Sequence, residues 1–264
     1  MSDVSHIAHK PEGPLSRYVR EILWIRSDRP RVQTLLPETT LTLMFRQSGA
    51  ASLDSQALPN AIVSGLQQRA RTVEHAAGSS VLIVRLTEAA SPAILHDRAD
   101  LLYNRTAPLE SLLPAAAIDR IQSILAETPE PPKQFRAIER FLAGRIRDRS
   151  ELSPQIEAAA RMIRKSEGRS SIAAVARHAA MSESTLERHF HAAVGATPKA
   201  LSRLARLQHV CRLWDAGKSL THIAHQAGYT DQPHLVRDFR LFTGRSPENF
   251  FRGNSPRNLP TFYK

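Results

Sequence analysis

Three histidines and two aspartates fall within one stretch, THIAHQAGYTDQPHLVRDF, at residues 221–239. Imidazole and carboxylate groups are common protein ligands of transition metals, so this stretch raises the question of a metal site. His222 and His225 share a helix face at i, i+3 spacing, but no third ligand falls on that helix and no acid stands as in H-E-x-x-H. Asp231 is better placed to cap the helix that follows. We therefore expect no metal and no other cofactor here.

Basic side chains are concentrated in the C-terminal part of the chain. The 264 residues contain 36 Lys and Arg against 25 Asp and Glu, for a formal net charge of +11. Residues 1–150 carry a net +3 and residues 151–264 a net +8. A concentrated basic region indicates a polyanionic partner, nucleic acid first and an anionic membrane surface second. A merely solvated basic face is the alternative.

Other features of the composition limit the compartment and the chemistry. No apolar run reaches the roughly 18 to 20 residues that cross a bilayer, and the opening MSDVSHIAHKPEG lacks the basic-then-apolar order of a signal peptide. The single cysteine, Cys211, excludes an intrachain disulfide. We expect a cytoplasmic protein without a membrane partner. The chain has no G-x-S-x-G, P-loop or G-x-G-x-x-G pattern, and we expect it not to be an enzyme.

The two halves of the chain differ in their hydrophobic periodicity. Short β-branched and aromatic runs follow one another up to about residue 94: YVREILWI, VQTLLP, TTLTLMF, AIVSGLQ, RTVEHAA and SVLIVRL. They predict a small β-barrel or β-sandwich, cupin-like, followed by two helices. RDRSELSP at 147–154 is polar and ends in a helix-starting Ser-Pro pair, so it marks the boundary. The predicted fold is α+β with two domains, residues 1–150 and an all-α domain at 151–264.

The helical C-terminal part contains an internal repeat. SIAAVARHAAMS at 171–182 aligns with SLTHIAHQAGYT at 219–230, and the alignment continues beyond the turn with one extra residue in the second copy. Each copy predicts a short helix, a tight turn and a second helix, which is the helix-turn-helix unit. The second helix of such a unit fits the major groove of DNA. A long helix between the two units would let one chain read two adjacent groove segments.

Residues 154–252 resemble the DNA-binding domain of the AraC/XylS family of bacterial transcription regulators. The resemblance rests on IAHQAGYTDQPHLVRDFRLFTGRSPENF at 223–250, on the weaker first copy and on their spacing. It implies a sequence-specific transcription regulator that binds double-stranded DNA, with RNA polymerase as a further partner if it is an activator. Two positions depart from the family pattern, because Ala180 replaces the usual turn glycine and Met181 the usual aromatic residue.

Helical geometry and the resemblance together select the residues expected to contact DNA. Arg188 and Arg237 are the first choices, because a guanidinium can bond guanine through two hydrogen bonds. A phosphate contact or a solvated surface position is the alternative for each. Ser182 and Thr230 are expected to cap the two recognition helices or to bond phosphate. The full predicted set is Ser182, Ser184, Thr185, Glu187, Arg188, Thr230, Gln232, Pro233, His234 and Arg237.

Further positions on the same helices have other expected roles. Lys199, Arg203 and Arg206 are secondary candidates for DNA backbone contacts. His191 falls on the DNA-facing side of the first recognition helix. The side chains expected in the core are Leu186, Phe190, Leu235 and Phe239.

The N-terminal half resembles the sensory or oligomerisation domain that precedes this module in the family. Tyr18, Trp24, Met44 and Phe45 could line a pocket for an apolar small-molecule effector, or they could simply be core. The helix QFRAIERFLAGRIRDR could form a homodimer contact or cover the sheet. His75 and His96 lack the close His-x-His pair of a cupin metal site. The competing hypothesis is an N-terminal enzyme or metal-dependent sensor that a DNA-binding module merely localises.

Overall fold

The computed structural model describes residues 4–88, 90–95, 99–146, 153–214 and 217–253, and it has a sheet-rich N-terminal domain followed by a helical C-terminal domain. The strands in these ranges are β1 (Val4–His9), β2 (Val19–Ser27), β3 (Arg31–Leu35), β4 (Thr42–Ser48), β5 (Ala51–Leu53), β6 (Gln56–Ala57), β7 (Ala61–Ser64), β8 (Arg71–His75), β9 (Ser79–Leu86) and β10 (Thr106–Pro108). The α-helices are α1 (Ala115–Glu127), α2 (Pro131–Ala143), α3 (Pro154–Lys165), α4 (Ile172–His178), α5 (Glu183–Val194), α6 (Pro198–Trp214), α7 (Leu220–Gln226), α8 (Gln232–Thr243) and α9 (Pro247–Gly253). None of the helices in the described ranges has the length and apolarity that a membrane crossing requires.

The N-terminal strands form two antiparallel sheets. The larger sheet has the order β1-β2-β9-β4-β7-β10, and the smaller sheet has the order β3-β8-β5-β6. The sheets do not close into a barrel, so the sandwich is the correct one of the two predicted forms. β9 lies between β2 and β4 and is buried along nearly its whole length, which explains its almost continuous apolar sequence.

All six strand segments expected from the sequence are present, but four further strands were missed. These are β1, β5, β6 and β10. β1 is an edge strand whose residues are mostly exposed, and β5, β6 and β10 have only two or three residues each. Edge strands and very short strands bury little, so they leave little hydrophobic alternation in the sequence.

Helices α1 and α2 cover the N-terminal domain. The apolar stripe of α2 consists of Phe135, Ile138 and Leu142, which are at most 4% exposed. Phe141 packs edge-on against Phe45 of the larger sheet, with ring centroids 6.2 Å apart. The sequence allowed this helix either to form a homodimer contact or to cover the sheet, and its apolar stripe covers the sheet.

The C-terminal helices begin at the position expected from the sequence. Ser153 is the N-cap of α3 and Pro154 is its first residue. The Ser153 hydroxyl does not accept a capping hydrogen bond, and it donates instead to the side chain of Gln155 at 2.5 Å. The preceding part of the predicted boundary, residues 147–152, lies outside the described residues.

Arg164 of α3 joins the two domains through a buried ion pair. Its guanidinium contacts the Glu88 carboxylate and donates to the Thr39 carbonyl at 3.0 Å. Glu88 and Arg164 have side chains only 7% and 13% exposed. Burial, with the nearby positive charges of Arg20 and Arg85, lowers the pKa of Arg164 well below its usual range, so the cation depends on its acidic partner.

The same interface contains a neutral cluster of six charged side chains. Arg85 donates to Glu21 at 2.6 Å and to Glu38 at 2.7 Å, and Arg20 lies 3.7 Å from Glu88. Burial raises the pKa of Glu38 in spite of the opposing effect of Arg85. Buried charges are tolerated only when they are paired. The cluster therefore favours the one orientation of α3 on the N-terminal domain in which its charges are paired.

We expect Arg164→Met to lower the free energy of unfolding by about 3 to 5 kcal/mol, because it removes the cation in direct contact with the buried Glu88 carboxylate and leaves the more distant Arg20 beside it at 3.7 Å. Arg161→Met is the matched control on the same helix, since its side chain is 68% exposed and pairs with Glu157. That variant should change stability by no more than about 0.5 kcal/mol. Urea denaturation of the full-length chain measures both values, and equal effects would contradict the structural role of the buried pair.

Candidate nucleic-acid interface

Residues 171–195 and 219–244 form two helix-turn-helix units that follow the repeat read from the sequence. Helices α4 and α7 have seven residues each, and helices α5 and α8 have twelve each. Leu186 and Phe190 in the first unit and Leu235 and Phe239 in the second are at most 1% exposed. This confirms the predicted core positions. These apolar pairs fix the second helix of each unit against the rest of the domain.

A residue with left-handed backbone conformation makes the turn in each unit. In the first unit it is Ala180, with φ +53°, and in the second unit it is Gly228, with φ +78°. The amides of Met181 and Tyr229 donate to equivalent carbonyls of Ala176 and Ala224, at 3.0 and 2.9 Å. The two turns are therefore built alike, but the first one holds an alanine in a conformation that favours glycine.

The caps of the two recognition helices differ from the prediction at one position. Ser182 caps α5 by accepting from the Thr185 amide at 3.2 Å, as expected. In the second unit Asp231, and not Thr230, caps α8 by accepting from the His234 amide at 2.7 Å. Thr230 is the extra residue of the longer turn and is exposed. Of the two cap candidates that the sequence offered, Asp231 is confirmed and Thr230 is wrong, because the inserted residue shifts the cap by one position.

The first turns of α5 and α8 present polar side chains to solvent. Arg188 on α5 and Arg237 on α8 are exposed at equivalent positions of the two units. Within the described part of the chain neither guanidinium takes part in an ion pair or a side-chain hydrogen bond. Ser184, Glu187 and Pro233 are also exposed. Within the described residues these side chains are free to meet a partner, except that the Ser184 hydroxyl forms a hydrogen bond with the Ser182 hydroxyl at 3.2 Å.

Three other predicted residues are partly used within the protein. Thr185 accepts from the Ser182 hydroxyl at 2.9 Å, and Gln232 accepts from the Thr221 hydroxyl at 2.9 Å. The His234 ring packs edge-on against Tyr229, with centroids 5.2 Å apart. These contacts orient the three side chains near the N-terminal ends of the recognition helices, where backbone amides also favour an anion.

Two of the three secondary candidates on α6 point into the domain. Arg203 donates to the buried carboxylate of Asp238 from Nε at 2.9 Å and also pairs with it through Nη2. Arg206 lies 5.3 Å from the centroid of the Tyr229 ring and donates to the Gly168 carbonyl at 3.2 Å. Both arginines are therefore engaged within the domain, and their contact with the DNA backbone stays a prediction. Lys199 is exposed, as that role requires.

Asp238 is a residue that the sequence reasoning missed. It is 7% exposed and lies with Leu235, Phe239 and Phe242 on the buried face of α8. Burial and the Asp238 carboxylate raise the pKa of Tyr229, so the Tyr229 hydroxyl stays protonated and points towards that carboxylate at 3.4 Å. The sequence feature that could have revealed Asp238 is its position three residues after Leu235, where the periodicity of α8 calls for an apolar residue.

His191 is also used differently from the expectation. Its side chain is 40% exposed and lies beside the N-terminal domain. Its ring packs edge-on against Tyr103 of the N-terminal domain at 6.0 Å, and its Nδ1 lies 4.0 Å from the Asp100 carboxylate. The C-terminal end of α5 is therefore part of the domain interface.

The histidines that raised the question of a metal lie on two helices, α7 and α8. His222 and His225 are exposed on α7. The described residues contain no group of three or more His, Cys, Asp or Glu side chains that could hold a metal ion. His75 in the smaller sheet contacts Gln33 at 3.3 Å, and burial together with Arg31 lowers its pKa. His96 lies outside the described residues.

The four residues expected around an effector do not share one cavity. Trp24 and Phe45 lie on the same face of the larger sheet, since both are in register with Leu82 of β9. Met44 is the neighbour of Phe45 in the strand and lies on the opposite face. Tyr18 precedes β2 and is half-buried. Phe45 is fully buried, so it belongs to the core.

An open groove lies elsewhere in the N-terminal domain, on α1 and α2. Its volume is about 490 Å³. Its lining combines apolar, basic and acidic side chains, from Ile124, Thr128, Lys133, Arg136, Ala137, Glu139 and Arg140. None of these residues belongs to the set predicted from the sequence.

Comparison with known proteins assigns the two units to a family. A family model described as a helix-turn-helix domain matches residues 175–253, which include α5, α6, α7 and α8. Residues 175–253 are an AraC-type helix-turn-helix domain. A search of curated proteins finds no match to the chain.

Several solved structures are similar to this chain at low sequence identity. ToxT from Vibrio cholerae O395 is 12% identical, with 96% of this chain and 98% of that chain covered and a TM-score of 0.47. The C-terminal domain of AraT, a response regulator from Geobacillus stearothermophilus, is 23% identical over 43% of this chain and 93% of its own, with a TM-score of 0.37. A DNA-binding transcriptional dual regulator from Escherichia coli K-12 is 19% identical over 39% of this chain and 93% of its own, with a TM-score of 0.34. The assignment of the AraC-type domain rests on the family match and the repeat.

The two turns predict opposite effects of exchanging alanine and glycine. Ala180→Gly should stabilise the protein by about 0.5 to 1 kcal/mol, because relief of a left-handed alanine outweighs the greater freedom of glycine in the unfolded chain. Gly228→Ala should destabilise it by more than about 1 to 2 kcal/mol, since the new Cβ would also lie 2.7 Å from Cγ of Arg169. Thermal unfolding of both variants tests this, and a destabilising Ala180→Gly would show that the turn is not strained.

Proposed function

We propose that this DNA-binding transcription regulator recognises its operator through α5 and α8, with one recognition helix in each of two adjacent major-groove segments. The observation that carries the proposal is the equivalent exposure of Arg188 and Arg237 on two units of matching geometry. α6 joins the units, and its 17 residues span about 25 Å at 1.5 Å per residue. That length suits two helices that enter successive turns of one duplex face.

The proposed contacts divide into base reading and backbone positioning. Arg188 and Arg237 are proposed to bond guanine, Gln232 to bond adenine and Glu187 to accept from a cytosine amine. Ser182, Ser184, Thr185, Thr230, Pro233 and His234 lie around the N-terminal ends of the two helices, and we propose that they contact phosphate or base edges there.

The N-terminal domain is proposed to supply the control of this DNA binding. The support is its direct contact with both the α3 helix and the C-terminal end of α5. A small-molecule effector or a homodimer contact would act by favouring one of two arrangements of the domains, which requires different affinity for each. RNA polymerase is the further partner proposed if the protein is an activator, and the cytoplasm is the proposed compartment. No catalytic step is proposed.

The first experiment is retention of fragmented genomic DNA from the host by purified full-length protein at near-physiological salt. Sequencing of the retained fragments should show a recurrent site with two motifs about one helical turn apart. Retention without any motif, together with a steep dependence on salt, would contradict sequence-specific recognition and indicate binding to the phosphate backbone alone.

We expect Arg237→Ala, and equally Arg188→Ala, to weaken binding to such a site by about 1 to 3 kcal/mol without unfolding the protein, because each change removes a base contact. Arg161→Ala is the control, since it removes an exposed arginine of α3, which lies outside both helix-turn-helix units. Titration of a fluorescent duplex carrying the retained site, and of the same duplex with the site scrambled, measures the difference. An equal loss on both duplexes would defeat the base-reading role.

A further inference from the structure

Two loops of the N-terminal domain form one unit, which we call the bridge and define as residues 65–70 and 99–105. The Gly65 amide donates to the Arg105 carbonyl at 3.0 Å, and the Asn104 amide donates to the Leu66 carbonyl at 2.8 Å. The Gln68 side chain donates to the Tyr103 hydroxyl at 2.8 Å. These bonds join the two loops along their length.

A close backbone approach holds the two loops of the bridge together. A Cβ on Gly65 would lie 1.9 Å from the Leu102 carbonyl oxygen, so only glycine fits at this position. The Gln67 side chain, which is buried, adds a hydrogen bond to the Arg105 carbonyl at 2.9 Å. The bridge is therefore a compact unit whose two loops are joined by hydrogen bonds and close packing.

The bridge contacts the C-terminal end of the first recognition helix. Gly195 ends α5 with φ +81°, and a Cβ there would lie 2.6 Å from the Ala99 carbonyl oxygen of the bridge. Asp100 and Tyr103, also in the bridge, contact the His191 ring in the last turn of α5.

The bridge also contacts the C-terminal end of the second recognition helix. The Ala70 amide donates to the Phe242 carbonyl in the last turn of α8 at 2.6 Å. That carbonyl is one of the groups that an α-helix leaves without an internal partner. One unit of the N-terminal domain therefore touches the same end of both recognition helices, while their first turns stay exposed.

Each recognition helix is thus held at two separated points. α8 is held near its middle by the ion pair of Asp238 with Arg203 of α6, and at its end by Ala70 of the bridge. α5 is held along its buried face by Leu186 and Phe190, and at its end by the bridge. A single contact would allow a helix to pivot, whereas two contacts define its direction.

We propose that the bridge fixes the separation and relative orientation of α5 and α8, and thereby sets the spacing between the two DNA motifs that the protein accepts. The inference rests on the proposed reading of DNA by both helices. Asp100, Tyr103 and Ala70 are positioning residues in this account, since they act on DNA through the helices and do not touch it. The N-terminal domain consequently takes part in operator choice.

Two equivalent glycines provide the matched pair of variants for the test. Gly195→Ala introduces a left-handed alanine and a collision with the bridge. Gly244→Ala, at the equivalent end of α8, introduces a left-handed alanine at φ +73°, but no heavy atom in the described part of the chain lies within 4 Å of its new Cβ. The difference between the two variants isolates the contact with the bridge from the backbone strain.

The experiment is selection from a random-sequence duplex library by full-length wild-type protein and by each variant, read as the distribution of spacings between the two enriched motifs. Wild-type protein and Gly244→Ala should enrich both motifs at one spacing. Gly195→Ala should enrich the same motifs over several spacings and bind a duplex with a single motif as wild type does. A single unchanged spacing for Gly195→Ala overturns the inference.

Tyr103→Ala decides the question if Gly195→Ala does not fold. It removes the ring contact with His191 and the bond to Gln68, and it leaves every residue of α5 and α8 in place. A broadened spacing with unchanged thermal unfolding supports the inference, and an unchanged spacing overturns it. If wild-type protein enriches no motif, the proposed function itself fails. If wild-type protein enriches two motifs at one spacing and both variants keep that spacing, only the role of the bridge is contradicted.

Discussion

The left-handed turn between the two helices of each unit is the constraint on which the DNA-facing surface depends. The turn directs the second helix away from the first, so that its apolar face enters the core and its first turn stays exposed. Gly228 adopts this conformation readily, whereas Ala180 adopts it at a cost in free energy. The first unit retains the same hydrogen bonds and helix lengths in spite of that cost. The surrounding core, including Leu186 and Phe190, therefore imposes the turn on the first unit.

The arrangement of the two domains depends on interactions of a different kind. Arg164 and Glu88 lie within a neutral cluster of charges, and such a cluster adds little net stability compared with apolar packing but is costly to break at one partner. It therefore favours one way of docking over others. The contacts of the bridge with Gly195 and Phe242 also hold the two domains together, at the C-terminal ends of the recognition helices. The proposed control of DNA binding by the N-terminal domain would act through these contacts.

The sequence predicted the local features of the fold more completely than its long-range contacts. The repeat placed α4, α5, α7 and α8 correctly, because helix periodicity, caps and glycines are encoded by neighbouring residues. The sequence offered both Asp231 and Thr230 as the cap of α8, because both are good N-cap residues and the inserted residue hides which one is used. The partners of Arg203 and Arg206 within the domain were not predicted, because charge alone does not reveal a buried partner such as Asp238.

Contacts between distant segments left no pattern in the sequence. Ala70 meets Phe242 and Asp100 meets His191 only after both domains have folded and docked. The four effector candidates cannot line one pocket for a simpler reason. Met44 and Phe45 are adjacent in a strand and must lie on opposite faces of the sheet. The alternation of side chains along a strand could have predicted this from the sequence alone.

The most direct test of two-helix reading is methylation protection of guanine N7 on the retained operator by full-length protein. Guanine N7 lies in the major groove, so protection reports the grooves that the recognition helices enter. The account predicts two protected clusters on one face of the duplex, separated by about one helical turn of roughly 10 base pairs. Protection of a single cluster, or of none while the protein remains bound, would contradict it.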